Sequence, residues 1–333
     1  MRKLFANFCD NLEDSICFLN EFIGIVKSIV QNDAKLVVLE KFQQYDVFMH
    51  LTEGLEQLSR MEMIEAERLN VLKIHLVEVI NFLMQIQIAP FFKFLESSER
   101  LLKALISTMY EGDQGLQILI TDLFKIMLDC PQEKKGEIYE YFYESVLPKL
   151  LEQIDKIVNK QSFVNYVQEV IEILNYCIMS HGYRVRYFII QNKTIQRLYN
   201  CLKLNNKTIT LAVIRLLKNI VASKDDFLIK NIVNHNLLED IFKVYFQNCT
   251  KYNLVSSACL ELFEKIRGDG VKKLIINIVE NFGEEIKERK LQKVFEKMLL
   301  KYEQYNEGKT TETTQQLMES QNNQPTGFEE RQM

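Results

Sequence analysis

Residues 189–198 (IIQNKTIQRL) and 232–241 (IVNHNLLEDI) match one another at a shift of 43 positions, with Ile195 falling on Leu238. The helices that follow match at a shift of 46, so that Ala212, Leu216, Leu217 and Ile220 fall on Ala258, Leu262, Phe263 and Ile266. A fainter copy sits at Gly115, Leu119, Ile120 and Leu123. A period of about 40 to 47 residues, with a small residue opening the last helix, marks helical units that bury their apolar faces only on their neighbours. The expected fold is all-α: a right-handed α-solenoid of armadillo- or HEAT-like helical repeats over residues 1–305.

One unit is legible in full at residues 249–282. Leu254, Ala258, Leu262, Phe263 and Ile266 recur at three- and four-residue spacing and define one face of a helix. Gly268-Asp269-Gly270 supplies the turn, and Val271, Leu274, Ile275, Ile278 and Phe282 restart the rhythm. The composition agrees. With 47% hydrophobic residues the chain can bury a large core, and 11 glycines and 4 prolines leave few helix breakers or strand turns.

Upstream, the pattern predicts helices over 16–30, 34–42 and 47–58, and one long helix over 61–89 that Pro90 ends, followed by an apolar link at Phe91, Phe92 and Phe94. Ser98 is placed to cap a helix reaching Met109, and the Gly112-Asp113 turn precedes another that runs to Leu128. Pro148 should mark a kink or a new helix start within residues 132–159, and His181-Gly182 should stop the helix that begins at Ser162. Arg2 to Glu21 could cap the array with a polar face. From residue 306 the chain turns to Thr, Gln, Asn and Glu with little to bury, and a disordered polar tail is expected over 306–333.

Signals for chemistry are sparse. His50, His75, His181 and His235 lie far apart, without a second histidine or carboxylate at metal-ligand spacing, and no phosphate loop or nucleophile elbow occurs. Neither catalysis, a cofactor nor a metal is expected. Seven scattered cysteines without a C-x-x-C pair point to reduced, buried thiols in an intracellular protein. A net charge of −4 argues against direct nucleic-acid binding, and no membrane segment is expected. Partners should therefore be proteins. Arg184 and Arg186, with Lys193 and Arg197, form a possible basic patch, and the alternation of Tyr139, Tyr141 and Tyr143 suggests that at least one ring projects outward as a partner anchor.

The run KYNLVSSACLELFEKIR at 251–267, followed by IVENF, resembles the last conserved part of the protein phosphatase 4 regulatory subunit 3 family, the suppressor-of-mek group. The stretches 174–198, 211–227 and 139–150 resemble the family in the same order, with a weaker likeness over 25–56. The family pattern carries Arg where Lys251 stands and Tyr-Trp where Phe282-Gly283 stands. The resemblance implies an armadillo-like, non-catalytic scaffold that joins a phosphatase 4-like catalytic subunit and a second regulatory subunit, in nucleus and cytoplasm. It also implies contact roles for Lys251, Tyr252, Asn253, Lys224, Asp225, Glu280 and Asn281, although Asn253 could equally cap the helix that follows it. The pleckstrin-like peptide-reading domain with which family members begin has no room in these 333 residues, which implies either a divergent short form without that substrate reader or a sequence that lacks its first part. The alternative is a helical-repeat adaptor with no phosphatase link.

Overall fold

A computed structural model describes residues 21, 24, 28, 47–60, 66–86, 88–129, 135–157, 160–249, 253–288 and 294–307. Most of the expected helices at 16–30 and 34–42, the Arg2–Glu21 cap and residues 308–333 lie outside the described residues. Among the described residues there is no strand, and the chain is all-α.

Two compact units divide it, Met1–Leu216 and Leu217–Met333. The first contains α1 (Val47–Arg60), α2 (Ala66–Ile86), α3 (Ile88–Ser97), α4 (Glu99–Glu111), α5 (Gln114–Leu128), α6 (Lys135–Tyr141), α7 (Leu147–Ile154), α8 (Gln161–His181), α9 (Tyr183–Gln191) and α10 (Thr194–Cys201). Helix α11 (Lys207–Ser223) crosses the boundary. The second contains α12 (Asp226–Asn234), α13 (Leu237–Asn248), α14 (Leu254–Gly268), α15 (Lys272–Glu288) and a helical stretch at 294–307.

The helix boundaries follow local chemistry. Ser98 Oγ accepts the Arg100 amide to start α4, and Asp113 Oδ1 accepts the Leu116 amide at 2.9 Å to start α5. Gly182, with φ of 42°, stops α8 where His181-Gly182 was expected to. Pro90 does not end a helix as expected. It sits in the first turn of α3, where its missing N–H has no intrahelical acceptor to lose, so the apolar link at Phe91–Phe94 is helical too. Of the two outcomes expected at Pro148 the new helix start is observed: Pro148 stands in the first turn of α7, just after a π-helical turn over Phe142–Val146 in which Leu147 N–H reaches back to Phe142 O.

The repeat seen in the sequence reappears in the backbone. Lys193, between α9 and α10, and Asn236, between α12 and α13, both adopt the left-handed region with φ of 49° and 51°. Ile195 and Leu238, one register later, are both buried. Lys224 (φ 53°) after α11 and Gly270 (φ 64°) after α14 make a second such pair.

Side-chain ties extend the period to the N-terminal half. In the first unit, Arg100 grips Glu56 through two bonds across 44 residues, and Gln117 Nε2 donates to Ser162 O across 45. Tyr141 Oη donates to Leu95 O across 46, and Tyr176 bonds Asp129 across 47. In the second unit Lys218 pairs with Glu261 across 43 residues and Lys273 with Asp226 across 47. The exposed ion pairs among these ties each contribute about 0 to 1 kcal/mol, so they report the stacking register while apolar burial supplies most of the stability.

In the first unit α5 packs on α2 and α8, and α1 on α4. The window Glu67–Ile86 has the length and mean hydropathy (1.4) of a membrane span. Lys73 and Glu78 interrupt it, and Leu72, Leu76, Val77, Ile80 and Met84 are fully buried against the unit. In the second unit Phe242, Phe263, Phe295 and Tyr245 are each at most 1% exposed. The Phe242 ring lies 4.5 Å from Phe263 and stacks on Phe282 at 4.2 Å. The inner face of α14 differs from expectation at its start: Leu254 is 70% exposed, and Val255, Cys259, Leu262 and Ile266 carry the face. Leu254 is the first helical residue after the cap, one position ahead of the buried stripe.

Candidate partner-binding surfaces

The Gly182 turn joins α8 to α9 and sets Arg184 and Arg186 beside a cluster of rings. His181 lies 4.2 Å from Tyr139 by ring centroids, and its Nδ1 shares a 2.8 Å hydrogen bond with Tyr143 Oη. Burial, reinforced by the positive charges of Lys135 and Arg184 and opposed by Asp129, pushes the imidazole down to about 4, so it is neutral near pH 7. Burial likewise raises the Tyr143 hydroxyl far above its ordinary range. Arg184 stands 5.6 Å above the Tyr139 ring and donates to Gly136 O, which commits much of it to holding α9 on α6.

The three alternating tyrosines are all half-buried, so none is the projecting anchor expected from their spacing. Tyr141 bonds Leu95 O, while Tyr139 and Tyr143 close over His181. Tyr139 and Tyr141 belong to α6, and the π turn begins between Tyr141 and Tyr143, so the alternation does not continue across it. The outward rings are instead Tyr183 and Tyr187, 65% and 63% exposed, with Arg186 4.8 Å over Tyr183. Their i, i+4 spacing was the signal available in the sequence.

In the second unit several candidates hold the backbone. Asp225 caps α12, its Oδ1 accepting the Phe227 and Leu228 amides at 3.0 and 3.1 Å. Lys224 occupies the left-handed turn before it, with its side chain exposed. Asn253 caps α14: its Oδ1 accepts the Ser256 amide at 2.8 Å, and its Nδ2 donates to Asn248 Oδ1 at 2.9 Å. Lys251 and Tyr252 lie outside the described residues. Glu280 accepts a long bond from Tyr302 Oη. Asn281 faces a cleft of about 310 Å³ together with Asn236, Glu239, Asn277, Phe282 and Glu285.

Among the described residues no three His, Cys, Asp or Glu side chains converge on a metal position. Burial pushes the Cys177 and Cys259 thiols up to about 12, which removes the thiolate a nucleophile requires.

A model of the phosphatase 4 regulatory subunit 3 family matches residues 2–304. The chain belongs to that family. Relatives include the serine/threonine-protein phosphatase 4 regulatory subunit 3 of Drosophila melanogaster, 28% identical over 207 residues, and Suppressor of Mek1 of Dictyostelium discoideum, 27% identical over 221 residues. These matches take in 59% and 58% of this chain, and the chain spans about a fifth of either relative, 21% in each case. The family is described as a regulatory subunit of phosphatase 4.

Within this family member, the fold gathers only part of what the sequence singled out. Arg184 and Arg186 share one corner of the first unit, whereas Lys224, Asp225, Asn253, Glu280 and Asn281 are distributed over the second. Asp225 and Asn253 are caps, and Asn281 alone of the set opens onto a cleft.

Proposed function

We propose that the chain is a non-catalytic regulatory or scaffold subunit of a phosphatase 4-like protein Ser/Thr phosphatase. It binds the catalytic subunit and a second regulatory subunit through its helical-repeat surfaces, and it works in nucleus and cytoplasm. The family match over residues 2–304 is the observation that carries this reading. Stacked helices with caps and inter-repeat ties give a stiff surface, so little ordering entropy is lost when a partner docks.

The test is reconstitution. The tagged 333-residue chain and a purified phosphatase 4 catalytic subunit, mixed with and without the second regulatory subunit, should elute together from a sizing column, with hydrolysis of a phosphopeptide only in fractions that contain the catalytic subunit. Independent elution in every mixture, with capture only of unrelated proteins, would reject the phosphatase reading in favour of an adaptor. Turnover by the chain alone would reject the non-catalytic assignment. Fluorescent tagging with fractionation checks the two compartments, and exclusion from either one overturns that part.

A further inference from the structure

Large apolar side chains are exposed unevenly in the first unit. Of the ten exposed among the described residues of the whole chain, four fall within residues 179–190: Met179, Tyr183, Tyr187 and Ile190. Apolar groups scattered singly are ordinary on a surface, whereas a run of them marks a contact face. Three of the four share one side of α9. With 3.6 residues per turn, Tyr187 and Ile190 lie about 40° and 20° around the helix from Tyr183. The Tyr183 and Tyr187 rings are 6.3 Å apart by centroids. Val185, Phe188 and Ile189 occupy the other side of the helix and are buried.

Cations stand on both flanks of this stripe. Arg186 lies about 60° to one side of Tyr183 and Arg184 about 100° to the other. The Arg186 guanidinium is 4.8 Å over the Tyr183 ring, so charge and ring are presented together. Both arginines fall near the N-terminus of α9, where a cation opposes the helix macrodipole, and no carboxylate on α9 compensates them. Arg184 is also set apart from arginines elsewhere. Arg60, Arg100, Arg197, Arg215 and Arg267 each pair with a carboxylate. Arg184 is exposed and has no carboxylate partner among the described residues. Its hydrogen bond to Gly136 O is long at 3.5 Å, and most of the guanidinium's donors are still to be used.

This arrangement selects its partner. Guanidinium groups donate and tyrosine hydroxyls can donate, so the rim of the stripe calls for acceptors. A single phosphate is gathered by cations that converge, and these two stand on opposite flanks. Carboxylates on either side of an apolar residue match them. A nucleic-acid strand carries its charge well past such a patch, against a chain of net charge −4. We infer that the outer face of α9 docks an acidic segment of a partner protein. An apolar side chain of that segment seats between Tyr183 and Tyr187, and Asp or Glu residues on each side of it meet Arg184 and Arg186. Helix α9 packs on α8 and α10 and is not part of the stack formed by the long helices α2, α5 and α8. The inference goes beyond the phosphatase reading and does not depend on it.

The experiment titrates the full chain into a fluorescein-labelled peptide of four Glu-Leu-Asp repeats and follows anisotropy. Two comparison peptides replace the acids by glutamine and asparagine, or the leucines by serine, and a twelve-nucleotide thymidine strand carries the same label. Saturable binding of the first peptide is expected. It should weaken about tenfold on loss of the peptide's charge, on loss of its leucines, in Arg184→Gln, and in the Tyr183→Ala/Tyr187→Ala double variant. Both rings are more than half exposed, so the double variant should melt at an unchanged temperature. If Arg184→Gln melts earlier, the tyrosine variant alone decides. Phe227→Ala removes another exposed ring beneath a lysine and should leave affinity as it was. Failure to saturate at millimolar peptide overturns the inference. So does equal binding of the serine peptide, or equal binding by the tyrosine variant, since either marks charge attraction without a seat for an apolar side chain. Displacement of the peptide by an equal concentration of the thymidine strand overturns it in favour of nucleic acid.

Discussion

Replacing Asn253 by alanine separates a structural residue from a contact residue at the start of α14. The side chain makes two bonds: it accepts the Ser256 amide at the start of α14 and donates to Asn248 Oδ1 at the end of α13. Loss of an N-cap costs about 1 kcal/mol, and loss of a half-buried side-chain hydrogen bond costs about 1 kcal/mol more. The sum, about 2 kcal/mol, should fall on the α13–α14 junction. Serine keeps the acceptor for the Ser256 amide but cannot reach Asn248, so Asn253→Ser should lose about half as much. Hydrogen exchange read by mass spectrometry localises the effect: amides in the first turn of α14 should exchange about thirtyfold faster in Asn253→Ala, the equivalent of ~2 kcal/mol. If the chain holds a phosphatase catalytic subunit as proposed, that binding should follow the folded fraction and nothing more. If protection of α14 is unchanged while partner affinity drops, Asn253 is a contact, and the capping argument is refuted.

Other outcomes follow from burial and charge. Phe242→Ala removes a ring packed on Phe263 and Phe282 and should destabilise the second unit by about 3 to 5 kcal/mol in urea unfolding; a loss below ~1 kcal/mol would show that the cluster does not form. His181 has a folded-state value near 4, below the ~6.5 of an unfolded chain, so protons bind preferentially to the unfolded form. Stability should therefore fall as pH drops from about 6.5 toward 4, and His181→Asn should flatten that slope in a pH series of melting curves; an unaltered slope contradicts the neutral buried imidazole. Cys177 and Cys259, with thiols pushed up to about 12, should resist a thiol-directed reagent at pH 8 in the folded chain, and mass mapping should find them modified only after denaturant is added.

How much of this was legible in the sequence depended on what each repeat uses to hold its neighbour. From residue 183 onward the seams are made by apolar side chains at fixed positions and by left-handed turns at Lys193 and Asn236, and these recur closely enough to align. Before 183 the same period is present, but its ties change chemistry from one repeat to the next. A guanidinium–carboxylate pair joins Arg100 to Glu56, an amide joins Gln117 to a backbone oxygen, and a phenol joins Tyr141 to Leu95. No residue type repeats there, so self-comparison finds only a faint copy although the stacking continues. Pro90 and the tyrosine alternation misled for a related reason: helix period and proline content locate breaks but not which turn of a helix accommodates them, and a π turn interrupts the helical period between Tyr141 and Tyr143.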